Sequence, residues 1–212
     1  MIHSDYIRTN RIIAFVILFL SFIVYYKTMA PTVSYWDCGE FIAVSYTLGV
    51  PHPPGSPLFL LLGRIASLLP ISEDIAFRVN VLSPLASAFA VFFLYLSIVQ
   101  VVNHWRGKLE SSTDALVVFG AGIVGSLTFA FTDSHWFNAV EAEVYAFSTF
   151  FTAIVVWLIL LWSEKADEKG HERYILIIAY MIGLATGLHL LNLLTLPFVA
   201  PVSYTHLRAH ET

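Results

Sequence analysis

One cysteine, Cys38, stands in a chain of 212 residues. That excludes an internal disulfide framework and any metal site built from several thiolates. Charge is scarce as well: Asp, Glu, Lys and Arg make up 12% of the residues, about half the share of an average soluble domain. The net charge of -4 comes with no basic stripe and no clustered arginines, so a nucleic-acid partner is excluded. There is no internal repeat and no low-complexity linker, and a single domain is expected. No small-x-small cleavage pattern follows the first apolar run, which reads as a retained span rather than a removed signal peptide. What fills the chain is apolar sequence, 58% of residues, and the lipid bilayer is its expected surrounding.

Apolar stretches lie near 12–30, 76–102, 115–131, 144–162 and 174–190, with another beginning at 191. Runs of this kind suit a hydrocarbon core about 30 Å thick. The expected fold class is all-α, a polytopic transmembrane helical bundle, with residues 1–201 forming the N-terminal part of a membrane domain. Residues 202–212 resemble a translated adapter sequence and are read as a non-native tail, so His206 and His210 are not counted as ligands. Arg8 and Arg11 precede the first span, Arg106 and Lys108 follow the second, and Lys165, Lys169 and Arg173 follow the fourth. The positive-inside rule puts these, and the N-terminus, in the cytoplasm. Segments 31–75 and 132–143 then lie on the other side, and they carry most of the acids and aromatics.

A connection as long as 31–75 should contain helices of its own. Ser34-Tyr35-Trp36-Asp37 fits a capping box, with Phe41, Val44 and Leu48 following at helical spacing. Leu58 to Leu69 is too short to span, is interrupted by Gly63 and Arg64, and reads as a second interfacial or re-entrant helix ended by Pro70.

The candidate chemistry sits in these segments. Asp37 and Glu40 are three apart and share a helix face, so two carboxylates can meet one substrate. Equally, Asp37 completes the capping box and Glu40 is a solvated acid at a helix start. A helix N-terminus favours ionised Asp37, a base rather than an acid. Pro51-His52-Pro53-Pro54-Gly55 holds His52 on a stiff turn, either to position an imidazole or only to break the helix. Arg64 and Arg78 either snorkel to headgroups or pair with an anion. Glu141 and Glu143, at the mouth of the fourth span beside Tyr145, are expected to stay charged there, as a site or as a polar helix start. His189, near the end of the fifth span, is a ligand or a packed core histidine. No cofactor is expected and no metal ligand is assigned. A divalent cation is left open, because the acids with His52 and His135 offer hard oxygen ligands, though at no diagnostic spacing. Cys38 lacks a base to form the thiolate and is not a nucleophile candidate.

The strings Ala30-Pro31-Thr32-Val33-Ser34-Tyr35-Trp36-Asp37-Cys38-Gly39-Glu40-Phe41, Gly49-Val50-Pro51-His52-Pro53-Pro54-Gly55, Phe137-Asn138-Ala139-Val140-Glu141-Ala142-Glu143-Val144-Tyr145 and Gly187-Leu188-His189 occur in this order. The set resembles the N-terminal part of the DUF2723 family over residues 5–201. That family is similar to GT-C class membrane glycosyltransferases and has an animal relative that is a protein O-mannosyltransferase. The resemblance implies transfer of a sugar, with mannose as one option, from a polyprenyl-phosphate donor to a hydroxyl of a protein or glycan acceptor, with inversion, on the non-cytoplasmic side. It implies Asp37 as the catalytic acid residue after the first span, with Glu40 second. His52, Glu141, Glu143, Tyr145 and His189 line the site, and Arg64 or Arg78 faces the phosphate. The expected location is a bacterial inner membrane with the site facing the periplasm, or the endoplasmic reticulum as its eukaryotic equivalent. A transporter or flippase for a lipid or sugar is the alternative. Such proteins place ionisable groups near mid-membrane, whereas the acids here gather at one surface.

Overall fold

The computed structural model describes residues 2–107 and 111–199, with side chains from residue 5 onward. The tail 202–212 and Lys108 lie outside the described residues. Among the described residues the regular elements are all helical: α1 (Ile2–Thr28), α2 (Cys38–Thr47), α3 (Pro57–Leu68), α4 (Ile75–Asn80), α5 (Leu82–Arg106), α6 (Ser112–Ala130), α7 (Asp133–Ala139), α8 (Val144–Lys165) and α9 (Glu172–Thr186). A 3-10 turn follows at Leu190–Thr195.

Four stretches are long and apolar enough to cross a membrane: Asp5–Thr28, Ile75–Arg106, Ser112–Ala130 and Val144–Lys165. A helix satisfies its own backbone groups where no water can, which is why such runs take this form. α5 is the central helix and packs against α1, α6 and α8. Gly122 permits the α6 approach, since a Cβ there would lie 2.7 Å from both the Tyr95 ring and Val99. Phe15, Val16, Phe19 and Ile23 of α1 remain exposed, an apolar face suited to lipid.

The expected fifth span is not an uninterrupted helix. α9 has 15 residues, about 22 Å at ~1.5 Å per residue, and the chain turns at Gly187 to His189 before the 3-10 turn. The carbonyls at the break have other donors: Leu58 N–H reaches Gly187 O at 2.9 Å, and Asn192 Nδ2 reaches Ala185 O at 3.0 Å and His189 O at 2.9 Å. Asn192 Oδ1 in turn accepts from the Ser148 hydroxyl at 3.1 Å.

Long-range bonds gather the acid-bearing segments at one end of the bundle. Ala30 N–H donates to Val140 O at 2.8 Å, and the Tyr25 hydroxyl donates to Ala130 O at 2.7 Å. Buried Asn80 donates to both Ala30 O and Thr32 O at 2.9 Å. α2 and α3 pack closely beside them, because Gly63 leaves room for Ser45, whose Cβ would lie 2.8 Å from an added Cβ. α3 starts with Pro57 in its first turn, where the missing N–H costs nothing.

The Ser34 capping box does not form. α2 begins at Cys38 with Asp37 as N-cap and no side-chain cap bond, and Trp36 takes a left-handed φ of 57°. The Ser34 hydroxyl donates instead to Glu141 Oε2 at 2.5 Å, a partner more than a hundred residues along the chain.

Candidate active site

Asp37 sits exposed at the N-cap of α2, and its carboxylate has no hydrogen-bond partner among the described residues. Glu40, one turn on, is committed to the proline turn: Oε1 accepts from His52 N–H at 2.7 Å, and Oε2 lies 2.7 Å from His52 Nδ1. This double contact fastens the turn to α2, with the His52 ring 5.9 Å from Phe41. The bond holds the Glu40 carboxyl below its usual range and raises the His52 imidazole above its own. Donor atoms of Asp37, Glu40 and His52 lie within 4.8 Å of one another. A cation could bridge all three only by displacing the Glu40–His52 bond.

Glu141 and Glu143 arrive from the turn before α8 and are 3% and 6% exposed. They stand at the mouth of the fourth span as expected, but buried there rather than open to solvent. Burial pushes the Glu143 carboxyl up to about 7; the Cys38 thiol, next in size, opposes it, the charges of Asp37 and Glu141 add smaller rises, and the Val144 N–H a small fall. That thiol donates to Glu143 Oε1 at 3.6 Å. Burial, with both glutamates nearby, pushes the thiol well above its usual range, which makes Cys38 inert as a nucleophile.

Asp37, His52, Glu143, Tyr145 and His189 line one cleft of about 50 Å³, walled by Phe41, Ser56 and Val144. That is room for one or two water molecules, so a sugar ring would lie across the mouth. The Tyr145 and His189 rings lie in tilted contact, with centroids 5.4 Å apart and planes at 47°. His189 Nδ1 accepts from Leu191 N–H at 3.1 Å, so the neutral ring carries its proton on Nε2. A groove of about 360 Å³ runs along α8, lined by Ser148, Thr149, Thr152 and Val156 against Leu191, Leu194 and Phe198. It starts one turn from the cleft, where the Thr149 hydroxyl donates to Tyr145 O at 2.9 Å.

Glu40 and Glu141 lie beside the cleft without lining it, and Arg64, Arg78 and His135 lie elsewhere. Arg64 donates to Tyr46 O at 2.5 Å and covers the Tyr46 ring. Arg78 donates to Ser72 O at 2.6 Å and Ser67 O at 2.9 Å. Both guanidinium groups thus hold backbone carbonyls at the ends of α2 and α3, and neither lines the cleft. His135 is buried against Phe129 and Tyr25, and desolvation lowers its imidazole to about 4. It is a packed neutral histidine, not a partner of the acids. Conversely, Ser34 ties the two acidic segments together through Glu141 and Asn80 ties α4 to Ala30 and Thr32, roles that the sequence did not indicate. The Ser34 signal pointed to a local cap.

Residues 37–212 match the profile of the protein O-mannosyl-transferase TMEM260 N-terminal domain. A protein O-mannosyl-transferase tmem260 from Dictyostelium discoideum is 31% identical over 208 residues, covering 91% of this chain and 23% of the relative. A protein O-mannosyl-transferase TMEM260 from Mus musculus is 29% identical over 149 residues, covering 70% of this chain and 19% of the relative. The chain therefore spans about a fifth to a quarter of the length of these curated relatives. No solved structure matches it. The profile begins at Asp37 and takes in every residue of the cleft, from the proline turn to His189, and on that match the chain belongs to the protein O-mannosyl-transferase TMEM260 N-terminal domain family.

Proposed function

We propose that this chain is the catalytic-acid-bearing part of a membrane glycosyltransferase of the GT-C kind, the class that the DUF2723 resemblance implies. It moves a sugar, mannose by the relatives' names, from a polyprenyl phosphate to a hydroxyl of a protein or glycan. The carrying observation is Asp37: an exposed carboxylate without a hydrogen bond, at the mouth of a cleft shared with Glu143 and His189.

The acceptor oxygen attacks the anomeric carbon while the bond from that carbon to the phosphate oxygen breaks. The electron pair leaves with the phosphate, and the acceptor proton passes to Asp37 as general base. Direct displacement inverts the anomeric centre. Polyprenyl phosphate is already a good leaving group, so no strong acid is needed. A cation against the phosphate helps, and with Arg64 and Arg78 engaged elsewhere, His52 is the basic side chain of the cleft whose proton is best held. Glu40 then positions His52 rather than touching substrate. The groove along α8 suits the apolar chain of the carrier. The basic residues near the far ends of the spans support a cleft on the non-cytoplasmic side, periplasmic in a bacterium and lumenal in the endoplasmic reticulum. Both relatives named above are eukaryotic proteins, which favours the latter.

The test is a reconstituted full-length protein given a polyprenyl-phosphate mannose donor and an acceptor extract, with donor loss and acceptor mass gain followed by mass spectrometry. Consumption by wild type and not by Asp37→Asn supports the reading. If folded wild type consumes none of a panel of active donors, the reading fails, and lipid flipping is the next measurement.

A further inference from the structure

Glu141 and Glu143 are an electrostatic anomaly. Both residues are more than nine-tenths buried, and neither takes part in a salt bridge among the described residues. Glu141 Oε1 is buried without a hydrogen-bond partner, while Oε2 accepts from Ser34. The side-chain donor to Glu143 is a thiol at 3.6 Å, one of the weakest in proteins. Two adjacent buried negative charges without a cation are far costlier than a thiol and a hydroxyl can offset.

The groups facing Glu143 offer no remedy. From the start of α2 come Asp37 and Cys38, from the preceding turn Glu141, from α8 Tyr145, from the proline turn His52, and from the break after α9 His189. Two of these can be cationic. His52 is already held by both oxygens of Glu40, and His189 Nδ1 is occupied as an acceptor for Leu191 N–H, with no contact to either glutamate among the described residues. A proton is what remains.

We infer that Glu143 works as a neutral carboxyl, whose O–H donates into the cleft to the donor phosphate and whose neutrality spares that anion a second negative charge beside Asp37. This rests on the lipid-phosphate reading above. Asp37, exposed and unbonded, is left as the base that accepts the proton of the acceptor. The balance tips near neutrality, since burial and the neighbouring anions lift the Glu143 carboxyl to about 7. Below that pH the cleft admits a phosphate; as pH rises through it, Glu143 ionises and repels one.

Two readouts on the reconstituted full-length protein test this. Infrared difference spectra between pH 6 and pH 8.5 are expected to show a protonated-carboxyl band in wild type that bleaches with rising pH and is missing from Glu143→Gln. In the transfer assay, the wild-type KM for polyprenyl-phosphate mannose is expected to rise about tenfold per pH unit above ~7, with kcat changing less. Glu143→Gln, a permanently neutral donor, keeps a low and flat KM. The inference is overturned if the band is missing from wild type, if Glu143→Gln retains the alkaline rise, or if it folds but binds no donor at any pH. Should that variant not fold, Glu141→Gln serves: removing the neighbouring charge moves the alkaline limb to lower pH, and an unmoved limb overturns the inference. A Glu143 band without transfer from any donor upholds the neutral carboxyl, and it overturns both its phosphate role and the proposed function.

Discussion

At the end of the bundle away from the cleft, Arg106 pairs with Asp114, Asp114 closes a capping box with Ser111 at the start of α6, and Lys165 pairs with Glu168. Among the described residues at the cleft end, Asp37 has no hydrogen bond, Glu141 and Glu143 are buried without an ion pair, and Glu40 meets the basic side chain of His52. The charges of the first end complete helix termini and surface pairs, work that any soluble helix requires. At the second end Arg64, Arg78 and Asp74 also complete helix termini, but Asp37, Glu141 and Glu143 are left incomplete, and the long-range bonds of Asn80, Ser34 and Tyr25 hold that end together. Incomplete satisfaction in a bundle that is otherwise well packed marks where a substrate supplies the missing contacts.

The largest expected difference between the ends is catalytic. Asp37→Asn should lower transfer by roughly 10²–10⁴-fold, the usual contribution of a positioned base, while melting stays at the wild-type temperature because no hydrogen bond is lost. Asp114→Ala at the far end should do the reverse. It removes a cap worth about 1 kcal/mol and a partly exposed pair worth at most ~1 kcal/mol, and transfer should persist. A melting shift for Asp37→Asn as large as that of Asp114→Ala would show that Asp37 is a cap after all.

Next in size is Asn80→Ala, which strips Ala30 O and Thr32 O of a shared donor in a buried position. Leaving such groups unpaired costs about 2–3 kcal/mol, a fall in melting temperature of very roughly 4–12 °C for a chain of this size. Thermal unfolding in detergent measures it. A shift below a degree would mean that the cleft end is held by something other than these bonds.

These bonds also mark what could be read in advance. The long apolar runs and the strings around Asp37, His52, Glu143 and His189 announce a helical membrane protein and the residues that meet in the cleft, because hydrophobic length and motif are local properties. Ser34 misled because its hydroxyl had a local partner by rule and a distant one, Glu141, in fact. Arg64 and Arg78 looked like phosphate ligands because helix-end carbonyls, which they satisfy instead, leave no trace in sequence. The segment 174–190 read as continuous because Gly187 to His189 is apolar enough for a span, and its break depends on Leu58 and Asn192 arriving from elsewhere. The burial of Glu141 and Glu143 is equally illegible in sequence, because the groups that meet them, Ser34 and Cys38, come from about a hundred residues earlier in the chain.

A smaller effect sharpens the role of Glu40. His52 is raised and Glu40 lowered by the bond between them, so the two contributions have opposite pH limits. That of His52 is complete below its ordinary value near 6.5 and is lost as pH rises through the raised one. That of Glu40 is present above its ordinary value and is lost as pH falls through the depressed one. The turn is therefore fastened best between those limits, across mild acid to neutral pH. In ring-labelled protein the His52 titration midpoint should lie above that of a free histidine and drop in Glu40→Gln. A midpoint unchanged by that substitution would place the source of the shift in Asp37 or Glu143, and Glu40 would lose its positioning role.

Smallest of all is Lys165→Gln. Lys165 Nζ lies 3.3 Å from Glu168 Oε2 in an exposed i,i+3 pair at the end of α8, an interaction worth about 0.2–0.5 kcal/mol in a helix and further screened at physiological salt. Melting should move by no more than about 2 °C and transfer should not change, because α8 carries its functional groups, Glu143 and Tyr145, at the opposite end, 22 residues of helix away. The same helix thus offers both kinds of charge under one fold, which removes differences in packing from the comparison. If Lys165→Gln lowered transfer without lowering stability, the far end would be acting on the cleft through α8, and the division between a structural and a functional end would have to give way to a coupled one.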